Sequence, residues 1–173
     1  MKSKQEIEET LEKNRGTDFV IPMSWDVMFE QMFISKEVMP LLEYIISIFS
    51  NVDINDVKGK VKLLPNELRQ NFAKDTRSKS DIIAEYFKGE KNTDKYIVEM
   101  NSSKKMPWRN VLYAYKVASG GISIANDKYV KTYDTILINF NNFHDSKHKF
   151  IRTITMRDED GIIYDDSTII YEV

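Results

Sequence analysis

Two carboxylates and an amide, Asp81, Glu99 and Asn101, are the residues of this chain best placed by type and spacing to do chemistry. Asp81 opens the apolar run D-I-I-A-E-Y-F. Glu99 lies near the end of a second run, Y-I-V-E-M-N, with Asn101 two positions on. The connection at 88–95 carries Gly89, Asn92 and Asp94 and separates the runs as a hairpin turn does. Side chains alternate along a strand, so Glu99 and Asn101 share one face while Val98 and Met100 take the other. Asp81 joins that face only if the connection has an odd length or a bulge.

The chemistry open to such a group is metal-assisted hydrolysis. Cleaving a phosphodiester requires an in-line hydroxide and stabilisation of the negative charge that develops, and a divalent cation does both. Mg²⁺, or Mn²⁺ in its place, takes oxygen ligands: one or two carboxylates, with waters and substrate phosphate completing the shell. Asp81 and Glu99 would supply the carboxylates, and the backbone carbonyl of Met100 a neutral oxygen. Asn101 would lie beside the attacking water, where an amide orients by hydrogen bonding but adds no charge. The pattern D-x17-E-x-N is degenerate, and charged residues at hairpin ends are common. Spacing alone therefore favours a hairpin with polar ends.

A basic, aromatic segment follows directly. Pro107 suits the first position of a helix, with Trp108, Val111, Leu112, Tyr115 and Ile122 as its expected buried stripe. Arg109, Tyr113 and Lys116 fall on the adjoining stripe, and Lys104 and Lys105 precede them. Taken singly these cations suit a solvated surface; clustered after Asn101 they are placed to hold a phosphate backbone. Residues 101–152 carry nine basic and three acidic side chains, although the whole chain has a net charge of -2. That asymmetry is compatible with a nucleic-acid-facing surface and equally with a solvated polar face. Cysteine is absent, which excludes disulfides and thiolate chemistry. His144 and His148 are the only histidines, too few for a multi-histidine metal site, and both read as loop residues.

The elements that must position these groups follow from periodicity. Residues 1–20 form a charged, loosely docked N-terminal segment, with a helix expected to end near Gly16. Trp25, Met28, Phe29, Met32 and Phe33 recur at helical spacing. A second helix, apolar nearly all round and expected to be buried, runs from Ser35 through Phe49 with Pro40 near its start. The segment G-K-V-K-L-L-P predicts a short edge strand, 133–140 a central strand, and 149–156 and 162–173 two more strands about the turn D-E-D-G. Gly120-Gly121 would loosen the helix before it or admit a close neighbour. The order predicts one α/β domain over residues 1–173, a mixed central β-sheet flanked by helices. No apolar run approaches the ~20 residues of a membrane span. The charged N-terminus lacks the apolar core of a secretory signal, so the expected location is cytoplasmic.

Taken in order, these motifs resemble the PD-(D/E)XK nuclease family transposases, also called recombination-promoting nucleases. The first helix, with Asp26, Phe29 and Phe33, is similar to the family's opening helix. K-S-D-I-I-A and Y-I-V-E-M-N resemble its two metal-binding strands, and W-R-N-V-L-Y-A-Y its R-x-x-x-Y-Y helix through Arg109 and Tyr113. The strand ending N-F-N-N-F and the closing hairpin complete the resemblance. It implies a restriction-endonuclease-like core and a Mg²⁺- or Mn²⁺-dependent endonuclease acting on DNA. Asp81, Glu99 and Asn101 would be catalytic, with Asp81, Glu99 and the Met100 carbonyl on the metal. Lys104, Lys105, Arg109, Tyr113 and Lys116 would contact nucleic acid, and a homodimer is left open. The chain departs from the family at Asn101, where relatives carry glutamine and the wider superfamily lysine, and at Glu30, where a basic residue is common. The alternative is a catalytically impaired or inactive descendant that binds DNA or a protein through the same fold.

Overall fold

Alternating apolar and polar positions in the middle of the chain, and helical spacing on either side of it, become a layered α/β structure. The computed structural model describes residues 4–17, 29, 32–33, 39–66, 80–89, 92–101, 107–141 and 150–173. Its elements are α1 (Lys4–Lys13), α2 (Met39–Ser50), α3 (Ile54–Val57), β1 (Val61–Leu64), β2 (Ile82–Phe87), β3 (Thr93–Asn101), α4 (Pro107–Ser119), β4 (Ile122–Ala125), β5 (Lys128–Lys131), β6 (Tyr133–Asn141), β7 (Arg152–Arg157) and β8 (Ile163–Glu172). Six strands form one sheet in the order β1-β2-β3-β6-β8-β7. The first three are an antiparallel meander; β3, β6 and β8 are parallel; β7 returns antiparallel on β8. The fold is thus α/β, with a mixed six-stranded sheet flanked by helices. Among the described residues no helix is long and apolar enough to cross a membrane.

Period-two alternation gives the sheet two different faces. On one, Ile82, Ala84, Tyr96, Val98, Ile136 and Ile138 meet Leu42, Ile45 and Ile46 of α2, together with Phe29 and Phe33. Phe140 joins this core by an edge-to-face contact with Phe29, ring centroids 6.4 Å apart. α2 buries one side only, leaving Tyr44 and Ile48 about half exposed. The expectation of a helix buried all round fails because α2 covers one face of the sheet, and among the described residues no further layer covers its other side.

The opposite face is covered by α4, whose Ala114 packs on Ile97, Leu137 and Ile170. The stripe expected from the sequence is rotated in the structure. Trp108 is 82% exposed and Leu112 47%, while Asn110 and Ala114 are the buried positions. Two constraints set that rotation: small Ala114 lets the helix lie close to the sheet, and Arg109 reaches Asn101 and Glu99 at the end of β3. Ile122 does not continue the helix. It opens a two-stranded hairpin, β4–β5, whose turn residues Asn126 and Asp127 have φ of 50° and 58°. Positive φ at both turn positions is what a two-residue hairpin loop demands, and Asn-Asp supplies it.

Gly120 and Gly121 connect α4 to this hairpin beneath the Tyr133 ring. A Cβ on Gly121 would lie 2.9 Å from ring atoms of Tyr133, whose hydroxyl donates to the Val117 carbonyl at 2.8 Å. Here the close neighbour admitted by the glycine pair is a side chain. Gly121→Ala is expected to destabilise the fold by about 1–3 kcal/mol through overpacking. Denaturant unfolding of the variant beside the parent protein checks this.

Candidate functional site

The register of the sheet decides whether the sequence-identified carboxylates meet. β2 and β3 pair from Phe87↔Thr93 to Ile82↔Val98 without irregularity. The connection, 88–92, has an odd number of residues, and the next step of the ladder sets Asp81 opposite Glu99. The contact is reciprocal. The Asp81 backbone N–H donates to Glu99 Oε1 at 2.9 Å, and the Met100 N–H donates to Asp81 Oδ2 at 2.9 Å. A strand residue turns its N–H and C=O to the same edge, so the Met100 carbonyl also faces the Asp81 side, where the ladder has ended.

Parallel pairing extends the site sideways. Glu99 lies beside Asn139 of β6, and Asn101 beside Asn141. Asn139 in turn faces Glu172 of β8, which pairs with Arg152 of β7 by register and by an ion pair. One polar row, Asp81, Glu99, Asn139, Glu172 and Arg152, therefore crosses the sheet at the carboxyl ends of its parallel strands. That is where ligands enter open α/β sheets. α4 links the end of β3 to the start of parallel β6, so its first turn lies over this row.

The three asparagines close a hydrogen-bonded triangle. Asn101 Nδ2 donates to Asn139 Oδ1 at 2.8 Å and to Asn141 Oδ1 at 3.2 Å, and Asn139 Nδ2 donates to Asn141 Oδ1 at 2.8 Å. Both hydrogens of the Asn101 amide are thereby spent, and its Oδ1 accepts from the Arg109 guanidinium. Arg109 also lies 3.4 Å from Glu99 Oε2. It thus points into the site, while Tyr113 stands one turn on, 5.8 Å from the guanidinium. Lys116 occupies the last turn of α4, at the far end of the helix.

Glu99 is 1% exposed. Burial, and then the neighbouring Asp81 charge, push its carboxyl up from 4.5 to about 7; the Ser80 hydroxyl, the Asp81 N–H and Arg109 pull the other way. Burial likewise raises the Tyr113 hydroxyl, with the Glu99 charge acting in the same direction. Among the described residues no group of three or more acidic, histidine or cysteine side chains is arranged to hold a metal ion. An ion beside Asp81 and Glu99 would meet two carboxylates and the Met100 carbonyl, hard oxygens of the kind that Mg²⁺ or Mn²⁺ takes, with water filling the remaining positions. Two adjacent carboxylates, one of them nearly dry, also want a cation to relieve their repulsion. The residues fit the ion.

Asp81, Glu99, Met100, Asn101 and Arg109 are thus brought together. Lys104, Lys105, His144 and His148, with Asp26 and Glu30, lie outside the described residues. Sequence reasoning missed Asn139, Asn141, Glu172, Arg152 and the buried Asn110. Asn139 and Asn141 carried a usable signal, because their i, i+2 spacing repeats that of Glu99 and Asn101 on the strand they pair with. Comparison with protein-family models, curated proteins and solved structures gives no match.

Because the folded carboxyl of Glu99 titrates near 7 and the unfolded one near 4.5, the folded state holds the extra proton between those values. Its contribution to stability is complete below the unfolded pKa and is lost as pH rises through the folded one. The melting temperature is expected to carry a component that falls between about pH 4.5 and about pH 7. Glu99→Gln should remove that component, and parallel melting curves of the two proteins across the range provide the check.

Proposed function

We propose that the chain is a metal-dependent phosphodiester hydrolase acting on DNA, with a restriction-endonuclease-like core of the PD-(D/E)XK transposase type. One observation carries this reading. Asp81 and Glu99 stand opposite each other, each accepting a backbone N–H from the other's strand, at the carboxyl end of a meander whose third strand continues, through a covering helix, into a parallel neighbour. That sequence of elements is the one the resemblance calls for. The basic excess over residues 101–152 supports a polyanionic substrate.

In this reading Asp81, Glu99 and the Met100 carbonyl hold the cation, which supplies an activated water and charge stabilisation at phosphorus. The chain's own contribution is placement. The crossed backbone contacts hold one oxygen of each carboxylate from the opposite strand, which limits how far either side chain can move. Burial of Glu99 keeps its field unscreened by water.

A second reading has its own observation. Asn101 has no hydrogen left to orient a water, and Arg109 already places a positive charge beside Glu99. Both would suit a descendant that binds DNA without cutting it. Supercoiled plasmid incubated with Mg²⁺ or Mn²⁺ separates the two. Nicking that drops by about a hundredfold or more in Asp81→Ala and in Glu99→Ala is the expected result. Salt-sensitive DNA binding with no cleavage would establish the second reading, and cleavage indifferent to both substitutions would remove the metal site from consideration.

A further inference from the structure

Arg109 sits where a solvent-facing phosphate contact would not. Its guanidinium is turned inward on a side chain 26% exposed, toward a Glu99 that is 1% exposed. The partner that fixes it is Asn101, and the orientation of Asn101 is dictated from behind. With both amide hydrogens directed at Asn139 and Asn141, only Oδ1 remains to face α4, and it accepts from Arg109. Three side chains on two adjacent strands thus serve to aim one oxygen at one guanidinium.

The pairing with Glu99 is looser. A separation of 3.4 Å exceeds the roughly 2.7–3.2 Å of an N–H···O hydrogen bond, so the attraction is between charges more than through a shared proton. Arg109 Nε is buried and has no hydrogen-bond partner among the described residues. Arg109 is therefore anchored through Asn101 and held near Glu99 without being locked to it. A second positive charge arriving at the same carboxylate would repel the guanidinium strongly, because little water is there to screen them.

We propose that Arg109 is the resident counter-ion of Glu99 and that a divalent cation entering beside Asp81 competes with it for that carboxylate. This rests on the metal-site reading above and gives Arg109 a role inside the site in place of a contact to the DNA backbone. Asn101 is then a positioning residue for Arg109.

Calorimetric titration with Mn²⁺ alone, on the parent protein, Arg109→Gln, Arg109→Lys and Glu99→Gln, tests the competition. Arg109→Gln is expected to bind Mn²⁺ roughly tenfold tighter than the parent, Arg109→Lys to fall between them, and Glu99→Gln to lose binding. Lysine keeps the charge but cannot span Asn101 and Glu99 together, so it reports even if the glutamine variant does not fold. Equal or weaker binding on loss of the guanidinium would overturn the competition. Absence of Mn²⁺ binding in every variant would overturn the metal reading itself. The pairing is then decided separately by a double-mutant cycle of unfolding free energies on Arg109→Gln and Glu99→Gln. Coupling between the two supports the counter-ion, and simple additivity overturns it.

Discussion

A carboxylate placed almost out of reach of water has to be compensated by whatever surrounds it, and Glu99 sets that demand here. Removing an ionised group from solvent costs several kcal/mol even after relaxation, about what a whole domain has in reserve. The compensation comes from every direction. An N–H arrives from the end of β2, a hydroxyl from Ser80 and a guanidinium from α4. None of these suffices alone, which is why the acid still holds its proton to near neutrality. The rotation of α4, the exposure of Trp108 and the polar first turn of that helix make sense as the geometry that brings Arg109 within range.

Much of this arrangement is written locally. The strand pair that holds Asp81 and Glu99 is legible because strand alternation and a Gly-containing turn act over a few residues. The helix beginning at Pro107 is legible for the same reason, since proline tolerates that position and few others. Which face Asp81 takes is not legible in the same way: it depends on where the connection ends, and the strands pair across residues 88–92.

What escaped is non-local. Which stripe of α4 is buried depends on the surface it meets, and Asn110 and Ala114 look less apolar than the Trp108 and Leu112 they displace. Asn139 and Asn141 acquire meaning only once β6 lies parallel to β3 in a particular register. Strand order carries no period of its own, so the polar row from Asp81 to Arg152 cannot be read along the chain. The β4–β5 hairpin was missed for another reason. Its four-residue strands are exposed on both sides and show no burial alternation, and only the Asn126-Asp127 turn announces it.

That hairpin bears on how such a protein could change. Its base is pinched shut, because Thr132 donates both its backbone N–H and its hydroxyl to the Gly121 carbonyl, at 2.9 and 3.0 Å. The chain therefore leaves the crossover at Gly121 and rejoins it at Thr132 at almost the same place. The Asn126-Asp127 turn at the far end of the hairpin is not held by that closure, although the hairpin's own residues lie against Tyr115, Asp165 and Thr168. Insertions and deletions can accumulate in that turn while the register of β3 against β6, and with it the row of polar side chains, stays as it is. The crossover thus carries a turn whose length can change without moving the carboxylates, which lie at the opposite end of α4.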